Sequence, residues 1–383
     1  MGGEVESATF TREQRQKYRA KARACLDVFE QMLATRSFDF DEPMIGMEIE
    51  LNLVDRDYRP RMDNAEVLSA IADPEYQTEL ARFNIEFNVA PRRIHDESMV
   101  DLEGQLRASL NRAEVHCNGV GSHIVMVGIL PTVMPETFDG EWMSENTRYQ
   151  ALNDAFLAAR GEDIHLDIVG PSGERLTRFA DSLAPESACT SMQLLLQVRP
   201  HEFAAYWNAA QVVAGAQLAL GANSPYFMGH ELWAETRVEL FTQAADTRPE
   251  ELRNQGVRPR VFFGDRWITS IFDLFEENTR YFPALLPELD AEDPQEAFDA
   301  GRAPSLPKCA CTMARSTVGT GRSTTSWRGI PTCAWRTAYC QQVPPSSTRS
   351  PTQRSISARS APWSPMIARC GPGCRLPRRE RTS

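Results

Sequence analysis

The chain has 383 residues, 41 of them Lys or Arg and 52 Asp or Glu, and its net charge of −11 excludes a uniformly basic nucleic-acid binder. With 42% hydrophobic and 24% charged residues the composition is globular. Ala209 to Leu220 is broken by Gln211 and Gln217, short of the ~18 apolar residues a membrane span needs, and Met1 to Arg12 has no apolar export core, so a cytoplasmic protein without membrane contacts is expected.

Thr11 with Gln14 forms a capping box, and Tyr18, Ala22, Cys25, Leu26, Phe29, Met32 and Leu33 recur at helical spacing, which predicts an amphipathic opening helix. Residues 45–53 then alternate strictly: every odd position is apolar, while Glu48, Glu50 and Asn52 share the other face. A second alternation at 83–89 puts Asn84, Glu86 and Asn88 together. Residues 98–117 read as a helix through Leu102, Leu106, Leu110 and Ala113, and His123 to Leu130 as a strand ended by Pro131. Met192 to Val198 is a further strand, with Gln193, Leu195 and Gln197 on one face. Pro200 to Leu220 is Ala-rich and helical, Asn223-Ser224-Pro225 is a turn signal, and Trp267 to Phe282 returns to helical spacing. Strands interleaved with long helices, without βαβ phasing, predict an α+β fold with an antiparallel sheet.

Beyond Leu306 the composition changes. Residues 307–383 hold 12 Arg, one Lys and a single acid, Glu380, so this segment is +12 and residues 1–306 are −23. Six of the nine cysteines lie there; Cys25, Cys117 and Cys189 belong to the body and read as ordinary buried thiols. Three readings stay open: a basic disordered arm, a zinc site, for which Cys309-Ala310-Cys311 lacks the usual spacing, and coding sequence translated out of frame. For the third, joining the last base of each codon to the first two of the next re-reads Pro331 to Gln342 as His-Leu-Arg-Val-Glu-Asn-Arg-Val-Leu-Pro-Ala-Gly, with acids and apolar alternation restored. The expectation is a domain at 1–306 and an out-of-frame, disordered basic tail at 307–383.

Carboxylates two apart on a strand project from the same side, their Cα atoms about 6.5 to 7 Å apart, close enough to serve neighbouring divalent ions. Glu48, Glu50 and Glu86 on one sheet face would repel one another unless cations lie between them. Oxygen donors without Cys or His suit Mg²⁺ or Mn²⁺. The plainer alternative is a polar strand face turned to solvent.

Ile45-Gly46-Met47-Glu48-Ile49-Glu50, Phe83-Asn84-Ile85-Glu86-Phe87-Asn88, Ala188-Cys189-Thr190-Ser191, Gly221-Ala222-Asn223-Ser224-Pro225 and Trp233 to Leu240 together resemble the bacterial carboxylate-amine ligases of the glutamate–cysteine ligase superfamily. The resemblance covers about residues 15 to 306, and the out-of-frame Arg-Val-Glu-Asn-Arg-Val-Leu-Pro-Ala-Gly resembles a downstream motif of the same family. It implies a glutamine-synthetase-like curved antiparallel sheet with helices on one face, holding ATP and Mg²⁺, and attack of an amine on an acyl phosphate made from an amino-acid carboxylate. On that basis Glu48, Glu50 and Glu86 are metal ligands, with Glu79 a fourth candidate or else a surface-helix acid. Arg237 would clamp a substrate carboxylate, or pair with Glu235 or Glu239 at the surface; Gln193 and Gln197 are the other substrate-binding candidates. The chain departs from the family at Leu195, where a His is usual. The expected activity is joining the γ-carboxylate of glutamate to the amine of cysteine. The alternatives are another amine acceptor, or an inactivated member that binds metal or nucleotide without turnover.

Overall fold

Helix α1 (Arg12–Ala34) starts at the predicted capping box: Thr11 Oγ1 accepts from the Gln14 amide and Gln14 Oε1 from the Thr11 amide. The computed structural model describes residues 9–304, apart from 39, 41, 94–97, 265, 290 and 303, together with 322–327 and 330–337. After α1 come β1 (Met44–Val54), α2 (Asn64–Ile71), β2 (Tyr76–Thr78), β3 (Asn84–Arg93), α3 (Ser98–Gly119) and β4 (His123–Val125). They are followed by α4 (Thr147–Arg160), the hairpin β5 (Ile164–Val169) and β6 (Arg175–Ala180), the single turn α5 (Ala184–Ser187), β7 (Met192–Gln197) and α6 (Pro200–Gly221). The remainder is β8 (Tyr226–Phe227), β9 (His230–Glu231), α7 (Arg237–Ala244), α8 (Glu250–Asn254), α9 (Ile271–Tyr281), α10 (Pro294–Asp299), β10 (Arg322–Trp327) and β11 (Ile330–Thr337).

The main sheet runs β10-β11-β7-β1-β3-β2, with β4 also paired to β1, and every pair is antiparallel. The fold is thus mixed helix and antiparallel sheet. β1 lies at its centre. On its apolar face Met47, Ile49, Leu51 and Leu53 pack with Ile85 and Phe87 of β3 against Val67 and Ile71 of α2 and Leu102, Ala113 and Cys117 of α3. A second core gathers α1, α6 and α9 around Phe29, Phe203 and Phe275, and a third surrounds the β5–β6 hairpin. Among the described residues no helix is long and apolar enough to cross a membrane.

Three elements differ from the sequence expectation. The strand expected over 123–130 ends at Val125, because the Asn52 amide donates to the carbonyls of Val125 and Val127 at 3.5 and 3.2 Å and takes the place of a ladder partner. The helix expected from Trp267 begins at Ile271, since Ser270 caps it and Asp273 accepts from the amides of Thr269 and Ser270. The third difference lies in the segment expected to be disordered throughout. Residues 322–327 and 330–337 form a hairpin whose second strand pairs with β7, placing Ala334 opposite Gln197 and Arg336 opposite Leu195. Thr, Trp and Ile give these stretches strand propensity, and the edge of β7 offers unpaired backbone groups. The chain divides into units Met1–Val343 and Pro344–Ser383; the other expectations for 307–383 lie outside the described residues.

Candidate active site

The register of β1 and β3 sets Glu48 opposite Asn88, Glu50 opposite Glu86, and Asn52 opposite Asn84. The two alternating rows therefore fall side by side on one face, as the period of two requires. That face does not lie open to solvent: Glu48 is 7% exposed, Glu86 6%, Asn84 2%, and Asn52 is fully enclosed. Asn84 donates to Asn52 Oδ1 at 3.1 Å, and Asn52 donates to Thr190 Oγ1 at 3.2 Å, so the buried amides fix one end of the row.

At the centre of the face, carboxylate oxygens of Glu50, Glu79 and Glu86 all lie within 4.8 Å of one another. Glu79 arrives from the loop after β2, not from a surface helix, and its own carboxylate accepts from the Leu80 amide at 2.8 Å. Asn88 steadies Glu86 with a 2.7 Å bond to Oε1. Glu50 accepts from the Ser191 amide at 2.7 Å, yet burial and then the charges of Glu79 and Glu86 hold its carboxyl well above the usual carboxylate range. Three acids at this separation favour either protonation or a divalent cation between them, and an all-oxygen donor set fits Mg²⁺ or Mn²⁺. Glu48 shares the face but is not in this trio.

The glutamines on β7 separate. Gln193 stands opposite Glu48 and extends Nε2 to 3.5 Å from Glu50 Oε1, at the rim of the acidic cluster. Gln197 instead accepts from the Met44 amide at 3.2 Å, which ties the end of β7 to the start of β1. Leu195 faces Gly46 on the same side of the sheet and brings an apolar side chain to it.

Arg237, expected to clamp a substrate carboxylate or to pair at the surface, is buried beside Glu235. It is only 4% exposed, its Nε and Nη2 are both bonded to Glu235, the latter at 2.7 Å, and Nη1 donates to the Thr190 carbonyl at 2.6 Å. Of the alternatives, the ion pair with Glu235 is the one formed, buried rather than at the surface. Two further acids belong to this neighbourhood: Glu235, buried with Arg237, and Glu186 on α5, which contributes to the field on Glu50 without any sequence periodicity to mark it. Burial pushes the Cys189 thiol up, with Arg237 opposing, so it is not a poised nucleophile.

The family model for glutamate-cysteine ligase family 2 (GCS2) matches residues 44–258, more than half of the chain and the span that carries this cluster. The chain belongs to glutamate-cysteine ligase family 2. Among solved structures it is similar to a glutamate–cysteine ligase from Francisella tularensis in complex with AMP, at 10% identity and a TM-score of 0.34, covering 49% of this chain and 36% of that one. A bifunctional glutathione synthetase from Pasteurella multocida matches at 13% identity and a TM-score of 0.28, covering 53% and 26%. The match thus spans well under half the length of either protein. No curated protein matches the chain.

Proposed function

We propose that this fold is built for an ATP- and Mg²⁺-dependent carboxylate-amine ligase that joins the γ-carboxylate of glutamate to the amine of cysteine through an acyl phosphate. The observation that carries the reading is the trio Glu50, Glu79 and Glu86, contributed by two strands and a loop, within a chain of this family. Activating a carboxylate with ATP gathers several anionic oxygens, and divalent cations supply the charge that neutralises them. In this reading Glu50, Glu79 and Glu86 hold the cations on the carboxylate face of a curved, glutamine-synthetase-like sheet. Glu48 adds a further negative charge on that face, and Gln193 is positioned to hydrogen-bond a substrate at the rim. The partners are small amino-acid substrates in the cytoplasm.

The test is ADP release by the purified chain with Mg²⁺, ATP, glutamate and cysteine, each omitted in turn. Release that requires both amino acids supports the ligase. ATP-dependent protection from proteolysis without release supports the second reading, a member that binds metal or nucleotide without turnover, which the apolar Leu195 on this face favours. Release with glutamate and an amine other than cysteine identifies a different acceptor.

We also infer that residues 307–383 are out of frame, on their charge of +12 against −23 for the body and on the acids that the other frame restores. Sequencing the DNA across codon 307 tests this directly; an intact frame there overturns it.

A further inference from the structure

Among the described residues, Arg160 and Arg237 are buried arginines with an acid beside them, and Arg260 is a buried arginine without one. Arg237 has Glu235 and the Thr190 carbonyl. Arg160 donates to the carbonyls of Asp163 and Asp246 and has Glu162 at 3.6 Å. Arg260, in the loop between α8 and α9, is 5% exposed, and its Nη2 donates to the Pro283 carbonyl. Its guanidinium lies over the Phe282 ring, 5.3 Å from the centroid. The Nε–H is enclosed with no acceptor, and among the described residues no carboxylate pairs with it. Arg258, two residues earlier, is paired with Glu277.

This arrangement is costly. A guanidinium stays charged at any ordinary pH, so it cannot escape burial by losing a proton, and one carbonyl with one ring face does not replace a counter-ion. Burial pushes the Arg260 pKa down to about 10, and no acid among the described residues raises it again. The Nε–H still lacks an acceptor, and a guanidinium is suited to an anionic oxygen group.

We propose that Arg260 anchors a binding site for a small oxyanion, a carboxylate or a phosphate, which supplies the counter-ion that the described residues do not. The proposal does not depend on the ligase reading.

The experiment is thermal unfolding of the full 383-residue chain in EDTA, without nucleotide, titrated with sodium phosphate or sodium acetate against sodium chloride at equal ionic strength. A saturable rise in midpoint beyond the chloride control is expected. Phosphate alone acting identifies a phosphoryl group, acetate alone a carboxylate, and both a general oxyanion site. Arg260→Met should abolish the response and, by removing an unpaired buried charge, leave the anion-free midpoint unchanged or higher. Arg260→Lys, should the Met variant fail to fold, is expected to respond about tenfold more weakly, because a point ammonium lacks the fork. No saturable response in the natural chain, or an unchanged response in either variant, overturns the proposal.

Discussion

Arg237 and Glu235, two residues apart at the start of α7, are locked to each other by a two-pronged ion pair inside the protein, and the same guanidinium holds the Thr190 carbonyl beside the buried amides of the sheet. The pair joins the segment after α6 to the strand face that carries the acids.

Removing one partner leaves a buried charge uncompensated, so Arg237→Met or Glu235→Gln should each lower stability by about 3 kcal/mol or more, while the double substitution recovers part of the loss. Urea unfolding of the four proteins measures this; additive losses would mean the two side chains are not coupled.

Gly128 lies against this pair. A Cβ there would come within 2.5 Å of Asn223 Oδ1 and 2.7 Å of the Arg237 guanidinium, both held in place by hydrogen bonds. Gly128→Ala should therefore destabilise the protein by about 1 to 3 kcal/mol, the usual cost of overpacking. Combining it with Arg237→Met, which removes part of the obstruction, should show a smaller additional loss.

The trio predicts a division among the glutamates. Mn²⁺ binding followed by electron paramagnetic resonance should be lost or at least about tenfold weaker in Glu50→Gln and Glu86→Gln, and largely kept in Glu48→Gln, because only the first two are among the three converging carboxylates. Equal losses in all three would extend the site along β1; no loss in any would make the row purely structural.

On the apolar side of the same sheet, burial pushes both Tyr76 and Cys117 up to about 12, from ordinary values of 10.0 and 9.0. Both belong to one core, where Tyr76 stacks on Phe87 and its hydroxyl meets Ser109 Oγ at 3.1 Å. Raised folded values mean that the unfolded chain loses these protons first, so stability is complete below pH 9 and falls as the pH rises from 9 toward 12. The slope should reach about 1.4 kcal/mol per pH unit for each group. Cys117→Ala should remove the part that begins near pH 9, as read from unfolding midpoints across that range.

The sequence makes some of this legible and hides the rest for identifiable reasons. Period-two alternation places Glu48, Glu50 and Glu86 on one face of two strands, and the structure pairs those strands so that Glu50 meets Glu86. Alternation distinguishes two faces but not what covers them, which is why the polar row reads equally well as solvent-facing. Glu79 joins the trio through a loop, where no period exists to read. Arg237 is visible as a cation near Glu235, but whether a fork is open or filled depends on the burial that brings Thr190 alongside. The hairpin at 322–337 is disguised by the composition around it, whereas its pairing depends on a neighbour, β7, more than a hundred residues earlier.

β1 is hydrogen-bonded to β7, β3 and β4, and its apolar side chains are shared with α2 and α3. A strand tied on both edges and one face has no way to fray by itself: releasing it exposes a whole core at once. The amides of Ile49 and Leu51 should then exchange with deuterium only through global opening. Thr78 ends the three-residue strand β2, and there the chain is held by side chains instead: the Tyr149 hydroxyl donates to the Thr78 carbonyl and Ser144 Oγ to the Glu79 carbonyl. The acidic cluster thus draws two carboxylates from the central strands and one from a loop fastened by hydroxyl donors of distant segments.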